Sequence, residues 1–433
     1  MTEALIASLA RIEGLRVISR TSAMRFKGVR RPLPEIAAEL GVDGVIEGSV
    51  ARSGERVRIT AELIHAASDT HLWGESFDRD LSDVLTLQSE AARAIADQIR
   101  IKLTPKTRAR LAESRRVNPE AYDAFLRGRF YANRRTEDSL RRGREFLNDA
   151  IAKDPTYALA HVGLADVNNL LGYFSYQAPG VAFPRAKAAA RYALELDPQL
   201  GEAHTSLGYA HLYHDWDWAA SEREFLLGIE LSPSYLQAHL WYLNVLTARR
   251  RFEEALAQGA KCLELDPLSL IANLSIGWVL YFMREYARSA AEFEKGREMD
   301  PTFAPTRLNL GWTYLQMGRH AEAVGEFEAA AQLAAQTPTM VLTLAHGVAA
   351  AGDRARARVL LDAVLAQDRE RYVPSYLAAI ACEALGERER AWEWLERAVA
   401  ERSHWLVMLD LEPRFDPFRD DPRWGGIRRA VGV

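Results

Sequence analysis

Residues 268–301 read LSLIANLSIGWVLYFMREYARSAAEFEKGREMDP. Two runs with apolar residues three and four apart meet around Arg284, a pattern that predicts a helical hairpin. The first run carries Ile276, Gly277 and Leu280; the second carries Ser289, Phe293 and Gly296. The small residues let the paired helices approach closely, and Phe293 fills the space between them. Pro301 ends the second helix and presets the next turn.

The same residue types return 34 positions on, as Leu310, Gly311, Tyr314, Ala323, Phe327 and Ala330. Upstream, Asp154-Pro155, Asp197-Pro198, Ser232-Pro233, Asp266-Pro267 and Asp300-Pro301 mark the beat, their prolines 43, 35, 34 and 34 residues apart. Downstream, Gly318, Gly352 and Gly386 keep it, as do Ala323, Ala357 and Ala391, and Phe327, Leu361 and Leu395. This pattern resembles the tetratricopeptide repeat (TPR), a helix-turn-helix of this length. Eight units follow, at 120–155, 157–198, 201–233, 235–267, 269–301, 303–336, 338–369 and 372–402. The fold class is therefore mainly α, a right-handed α-solenoid of helical hairpins. In the fourth unit Leu243 and Gly259 depart from the expected glycine and aromatic. The second unit holds about nine extra residues within GYFSYQAPGVAFPRA, residues 172–186, expected as a longer turn covered by its own side chains.

Residues 403–433, SHWLVMLDLEPRFDPFRDDPRWGGIRRAVGV, drop the repeat. A terminal repeat needs a cover for its apolar face, and Trp405, Leu409, Phe415, Phe418 and Trp424 are expected to supply it.

The first hundred residues differ. MTEALIASLARIEGL has the apolar spacing of a helix face through Leu5, Ile6, Leu9, Ile12 and Leu15. RVISRTSAM reads as a strand, PLPEIAAELG as a short helix stopped by Gly41. DGVIEGSVARSGERVRITAELIHAASDTHLWGESFDRD reads as three strands with turns at Arg52–Glu55 and His65–Thr70. In the middle strand Val57, Ile59, Ala61 and Leu63 alternate with Arg56, Arg58, Thr60 and Glu62, and Trp73 and Phe77 continue the apolar face. LQSEAARAIADQIRIKL closes the unit as an amphipathic helix.

This part resembles the TolB amino-terminal-like domain that precedes TPR arrays in bacterial multidomain regulators. The likeness rests on MTEALIASLARI, LRVISRTSAMRFKG, IAAELGVDGVIEGSVARSGERVRITAELI, HLWGESFDRDL and LQSEAARAIADQI, with NPEAYDAFLRGRF, YHDWDWAASEREF and EPRFDPFRDDPRW further on. The resemblance implies association with a serine/threonine kinase, a winged-helix DNA-binding domain or an adenylate cyclase. It also implies a buried strand before the helix at Met1, so residues 1–104 are expected to form an incomplete α/β domain. A linker at 105–118, the repeats at 119–402 and a C-terminal cap at 403–433 complete the organisation.

Function is read mainly by exclusion. A net charge of −4 with 26% charged residues argues against a chain dedicated to nucleic acid or a membrane surface. No run of roughly 18 apolar residues offers a spanning helix, no secretory leader is visible, and the two cysteines, Cys262 and Cys382, form no disulfide framework. A cytoplasmic protein is expected. Nucleotide-loop, kinase, zinc-protease and serine-hydrolase motifs are all missing. No enzyme, cofactor or metal is therefore implied. His204, His211 and His214 with Asp215 are the nearest approach to a metal cluster, and solvent-facing histidines are the preferred reading. The basic stretch Arg100–Arg144, with Arg115-Arg116, Arg134-Arg135 and Arg141-Arg142, reads as a solvated surface or a docking patch for acidic protein or phosphate.

The strongest functional signal is a ladder on the first helices. The residue after each unit's small position is Tyr209, Asn244, Trp278, Trp312, His346 and Ile380; three places on lie Leu212, Thr247, Tyr281, Leu315, Ala349 and Glu383. At such places a TPR superhelix lines its concave surface, which suits an extended peptide or helix. The indoles at Trp278 and Trp312 fit packing between helices equally well. The expected role is a protein-interaction scaffold, a sensory or output module of a bacterial signalling or transcriptional regulator. The competing reading is the non-catalytic tail of an upstream kinase or cyclase. The expected partner is a protein or peptide in the groove, with no nucleic acid bound by this chain.

Overall fold

The computed structural model describes residues 5–6, 9–10, 12, 15–54, 56–80, 83–99 and 117–433. Residues 105–116 of the expected linker, and most of the opening MTEALIASLARIEGL, lie outside them. The described elements begin with α1 (Arg20–Met24), α2 (Leu33–Leu40), β1 (Gly44–Ser53), β2 (Arg56–His65), β3 (Thr70–Asp80) and α3 (Val84–Gln98). The strands form an antiparallel sheet in the order β1-β2-β3, with Val50 opposite Ile59 and Ile59 opposite Phe77. Strand alternation puts Val57, Ile59, Ala61 and Leu63 in the core. On the wet face Arg56 and Arg58 share Asp78 across the strand pair, at 2.6 and 2.9 Å. The buried face continues into the first repeat, where Val57, Ile59 and Phe77 share a core with Val117, Ala121 and Phe125. Leu9 and Ile12 bury against Ala92, Ile95 and Ala96 of α3, which gives the described part of the opening segment its partner.

One expectation is corrected here. Residues 15–19 form no strand, and RTSAM is the short helix α1, capped by the Ser19 hydroxyl, which accepts from the Ser22 N–H. The segment instead runs along the solenoid. The Ser234 N–H donates to the Ala10 carbonyl and its hydroxyl to the Leu15 carbonyl; Arg16 donates to the Glu264 carbonyl and Arg25 to that of Met299. These hydrogen bonds replace the ones a sheet would have offered.

Eight helical hairpins follow. The first four are α4 (Pro119–Ala132) with α5 (Glu137–Lys153), α6 (Ala158–Tyr173) with α7 (Pro179–Leu196), α8 (Gly201–Ala210) with α9 (Trp218–Leu231), and α10 (Leu236–Ala248) with α11 (Phe252–Leu265). The last four are α12 (Leu270–Phe282) with α13 (Tyr286–Met299), α14 (Ala304–Gln316) with α15 (His320–Leu333), α16 (Pro338–Ala350) with α17 (Arg354–Leu365), and α18 (Ser375–Ala384) with α19 (Arg388–Ala400). Two 3-10 turns (His404–Met408, Pro413–Phe418) and α20 (Trp424–Val431) end the chain.

The periodic residues have identifiable work. A Cβ on Gly277 would stand 2.7 Å from the Phe293 ring, and Phe327 is wedged between Gly311 and Gly347 in the same way. In the fourth hairpin the pair is exchanged: Leu243 stands at the small place, and the space over Gly259 is filled first by Ile276 of the next hairpin, 2.6 Å from a Cβ there, and then by Leu243 at 3.5 Å. In the Asp-Pro turns the aspartate carboxylate accepts the N–H of the residue after proline, at Thr156, Gln199, Leu268 and Thr302. The turn within each hairpin has a left-handed residue, in order Arg135, Ser175, Trp216, Arg250, Arg284, Gly318, Gly352 and Gly386.

The extra residues of the second hairpin are a second correction. Most of them lengthen the two helices, α6 to 16 residues and α7 to 18, against 13 and 14 in the fifth hairpin, rather than the turn. Phe183 is drawn inward against Gly172 and fully buried, so the added turn of helix carries core packing.

Candidate functional site

The predicted ladder runs along the first helices of hairpins three to eight, which stack on one another. Tyr209, Leu212, Thr247, Tyr281, Trp312 and Ile380 are buried; Asn244, Trp278, Leu315 and His346 are half-buried. The Trp278 and Trp312 rings lie 5.5 Å apart. Tyr209 packs on Trp241 and Tyr213 at 4.1 and 4.5 Å. Asn244 and Thr247 bond back to carbonyls of their own helix, at Leu240 and Leu243.

The chain's own C-terminal segment covers this surface. Trp405 stands 5.3 Å from Trp278 and 6.2 Å from Trp312, lies parallel to Tyr376, and reaches Tyr173 at 6.5 Å. One indole thus joins hairpins two, five, six and eight. Beyond it sits a buried ion pair. Arg414 donates from Nε and Nη2 to the two Glu412 oxygens at 2.8 and 2.7 Å, and both side chains are essentially without solvent. Trp405 Nε1 and the Tyr281 hydroxyl also donate to Glu412, at 2.8 and 3.1 Å. The guanidinium carbon lies over Trp312, 3.9 Å from the ring centre. Burial alone would raise the Glu412 pKa; the Arg414 charge and these donors bring it below the ordinary carboxylate value.

Two arginines in left-handed turn places reach the same segment. Arg284 makes a bidentate pair with Asp416 at 2.7 and 2.8 Å, and Arg250 donates to the Asp410 carbonyl at 3.2 Å. Phe415, Phe418 and Trp424 lie further out, with Phe418 edge-on to Trp392 of the last repeat helix at 5.4 Å. The sequence reading placed Trp405 with these end-sealing residues; it lies instead along the inner face. Glu412 and Arg414 were missed. Their only signal was an acid and a base two residues apart, and it was masked by the charges at Asp410, Asp416 and Arg419 in the same run.

A concavity of about 1770 Å³ adjoins the first helices. Its rim is the spiral of turns between hairpins, including Asp154, Asp197, Ser234, Ser269 and Asp300, and Ala10, Val17 and Ser19 of the α/β domain close one side. An ion pair between Arg371 and Glu137 joins the last hairpins to the first across it. Arg129, Arg134, Arg135 and Arg141 of the expected basic stretch face this chamber.

The three histidines do not meet at one centre. His204 pairs with Glu224 at 2.7 Å, while His211 and His214 both turn to Asp215, which also takes Lys187 at 2.6 Å. Burial raises the Asp215 pKa, but its three donors lower it well below the usual range. No group of three or more such side chains is placed to hold a metal among the described residues.

Residues 304–337 match the tetratricopeptide repeat model. A relative, putative adenylate cyclase 3 of Rhizobium meliloti (strain 1021), is 34% identical over 213 residues, 48% of this chain. That match takes in 36% of the relative, so the chain spans little more than a third of its length. Among solved structures, the human IFIT1 dimer with m7Gppp-AAAA aligns at a TM-score of 0.48 and 15% identity, covering 72% of this chain and 76% of that one. Pseudomonas aeruginosa PilF aligns at 0.36 and 20% identity, covering 50% and 92%. These two likenesses are of fold. The chain is a TPR solenoid behind a small α/β unit, an architecture that serves as a protein-interaction scaffold. No described helix is long and apolar enough to cross a membrane.

Proposed function

We propose that this chain is the non-catalytic interaction module, sensory or output, of a bacterial signalling protein, with an adenylate cyclase as the effector it serves. The observation that carries the reading is the 34% identity with part of a protein named putative adenylate cyclase. The α/β unit then acts as a TolB amino-terminal-like connector between effector and solenoid. Its core is continuous with the first hairpin, so a displacement at either side is felt by the other. The aromatic ladder from Tyr209 to Ile380 is the recognition surface for a protein or peptide, and the segment around Trp405 covers it when no partner is bound.

In-cell cross-linking with mass spectrometry tests the reading. A cyclase, or another effector of second-messenger signalling, is expected among proteins joined to the α/β unit and the concave face. Cross-links confined to the outer faces of the second helices would contradict it.

A further inference from the structure

One arginine of the chamber wall has no bonded counter-charge among the described residues. The other wall arginines are occupied: Arg129 pairs with Asp166 at 2.8 Å, Arg141 and Arg371 both pair with Glu137, and Arg134 lies 4.7 Å above the Phe130 ring. Nearby carboxylates are committed as well. Asp154, Asp197 and Asp300 accept turn N–H groups, Asp138 pairs with Arg142, and Asp166 also accepts from the Ser206 hydroxyl. Arg135 differs from all of them: among the described residues its side chain has no hydrogen bond, no ion pair and no ring beneath it, whereas Arg134 at least has the Phe130 ring. Arg135 is half-buried, within electrostatic reach of Tyr173, Tyr209, Tyr235 and Asp166. Desolvation lowers its pKa below the ordinary arginine value.

The repeat shows what an arginine at this place does. Arg135, Arg250 and Arg284 occupy equivalent left-handed turn positions in hairpins one, four and five, where hairpins six to eight have glycine. A side chain in that conformation is disfavoured relative to glycine. Arg250 and Arg284 each bind the chain's own C-terminal segment, through the Asp410 carbonyl and the Asp416 carboxylate. Arg135 is the third such hook, and no described residue pairs with its side chain.

We propose that the chamber binds an extended peptide from a partner protein, with an acidic side chain of that peptide pairing to Arg135 and apolar neighbours lying against Leu126, Leu159, Phe174, Leu236 and Leu240. The volume supports a peptide over a small molecule, since it exceeds the roughly 300–1000 Å³ of ordinary ligand pockets. The chemistry has an internal precedent. Phe415-Asp416-Pro417 already places a carboxylate between apolar residues, paired with the turn guanidinium of Arg284 on the neighbouring surface. The proposal rests on the interaction-module reading and names the ligand class of its second surface.

The test uses the full chain and two pools of acetylated, amidated decapeptides. Nine positions are randomised over Ala, Leu, Val, Phe and Ser, and the sixth is Glu in one pool and Gln in the other. Native mass spectrometry reads the peptides retained. The Glu pool should be retained about tenfold better, the worth of one charge-assisted contact. Arg135→Gln should abolish that preference, and Arg135→Lys should keep part of it. Thermal melting is the folding control: Arg135→Gln loses no partner and should melt no lower than the parent, whereas Arg129→Gln, which strips Asp166 of its pair, should melt lower. Equal retention of the pools, absence of retention, or a Glu preference that survives Arg135→Gln overturns the proposal. None of these results alters the cross-linking pattern that decides the module reading.

Discussion

Single residues carry the stability of each hairpin through contact distances a methyl group would violate. Gly277→Ala would place its Cβ against the Phe293 ring and should destabilise by about 1–3 kcal/mol in denaturant titration. Phe293→Ala, which empties the same space, should cost about 3–5 kcal/mol. The fourth hairpin supplies a sharper test, because there Leu243 and Gly259 hold the bulk in reverse. The double variant Gly277→Leu/Phe293→Gly should therefore be more stable than Gly277→Leu alone. A double variant worse than both single changes would show that the small and large places are not interchangeable.

His404 supplies a pH dependence at the same scale. Its ring lies among those of Tyr173, Tyr213, Tyr376 and Trp405, and its Nδ1 is buried without a partner. Burial pushes its pKa down to about 3. Between that value and the ordinary 6.5 the unfolded chain binds a proton that the folded chain does not. Its contribution is thus present above about pH 6.5 and is lost as pH falls, by roughly 1.4 kcal/mol per pH unit. His346, held at about 3 by burial and then by the Arg414 charge, acts in the same direction. Glu412 has a depressed carboxylate pKa, so its contribution is lost only in more acid solution. His404→Phe should flatten the slope of stability between pH 6.5 and 4.5, and an unchanged slope would exclude His404 as its source.

At the scale of elements, the turns within the hairpins separate backbone preference from side-chain use. Arg284→Gly relieves a left-handed arginine, a gain on the order of 1 kcal/mol, but it removes the pair with Asp416. Overall stability should change little, while hydrogen exchange over residues 410–418 quickens. Slowed or unchanged exchange there would mean that the arginine does not hold the segment.

The hairpins were legible in the sequence because each depends on neighbours about 12 to 34 residues away, at places such as Gly277, Phe293 and the Asp-Pro turns. The three strands were legible from alternation and from their turns. Residues 15–19 were not, since their partners are the Ser234 hydroxyl, at Leu15, and the Glu264 carbonyl, at Arg16, both remote in sequence. The added residues of the second hairpin misled for another reason. Proline, glycine and aromatics in series read as a turn, yet Pro179 occupies a first helical turn, where its missing N–H is not required.

For the whole molecule, the ladder was visible as a set of side chains but its covering was not. Repeat spacing locates an inner face; it contains no information about which remote segment returns to it. The C-terminal segment returns because Trp405 fits between four hairpins, and because the Glu412–Arg414 pair finds Tyr281 and Trp312 already in place. The molecule therefore presents one surface covered by its own chain and one open chamber beside it. On the function proposed above, a partner reaches the ladder only once the C-terminal segment has left it.

The most direct test of this account is hydrogen exchange on Glu412→Ala. Removing the acid strands the buried Arg414 charge, a loss of about 3–5 kcal/mol where a buried pair is broken. Residues 404–418 and the inner helices α12 and α14 should lose protection together, while the sheet at 44–80 and the first hairpin keep theirs. Equal loosening throughout the chain, or full protection of α12 and α14 after residues 404–418 have opened, would contradict a C-terminal segment that covers the ladder.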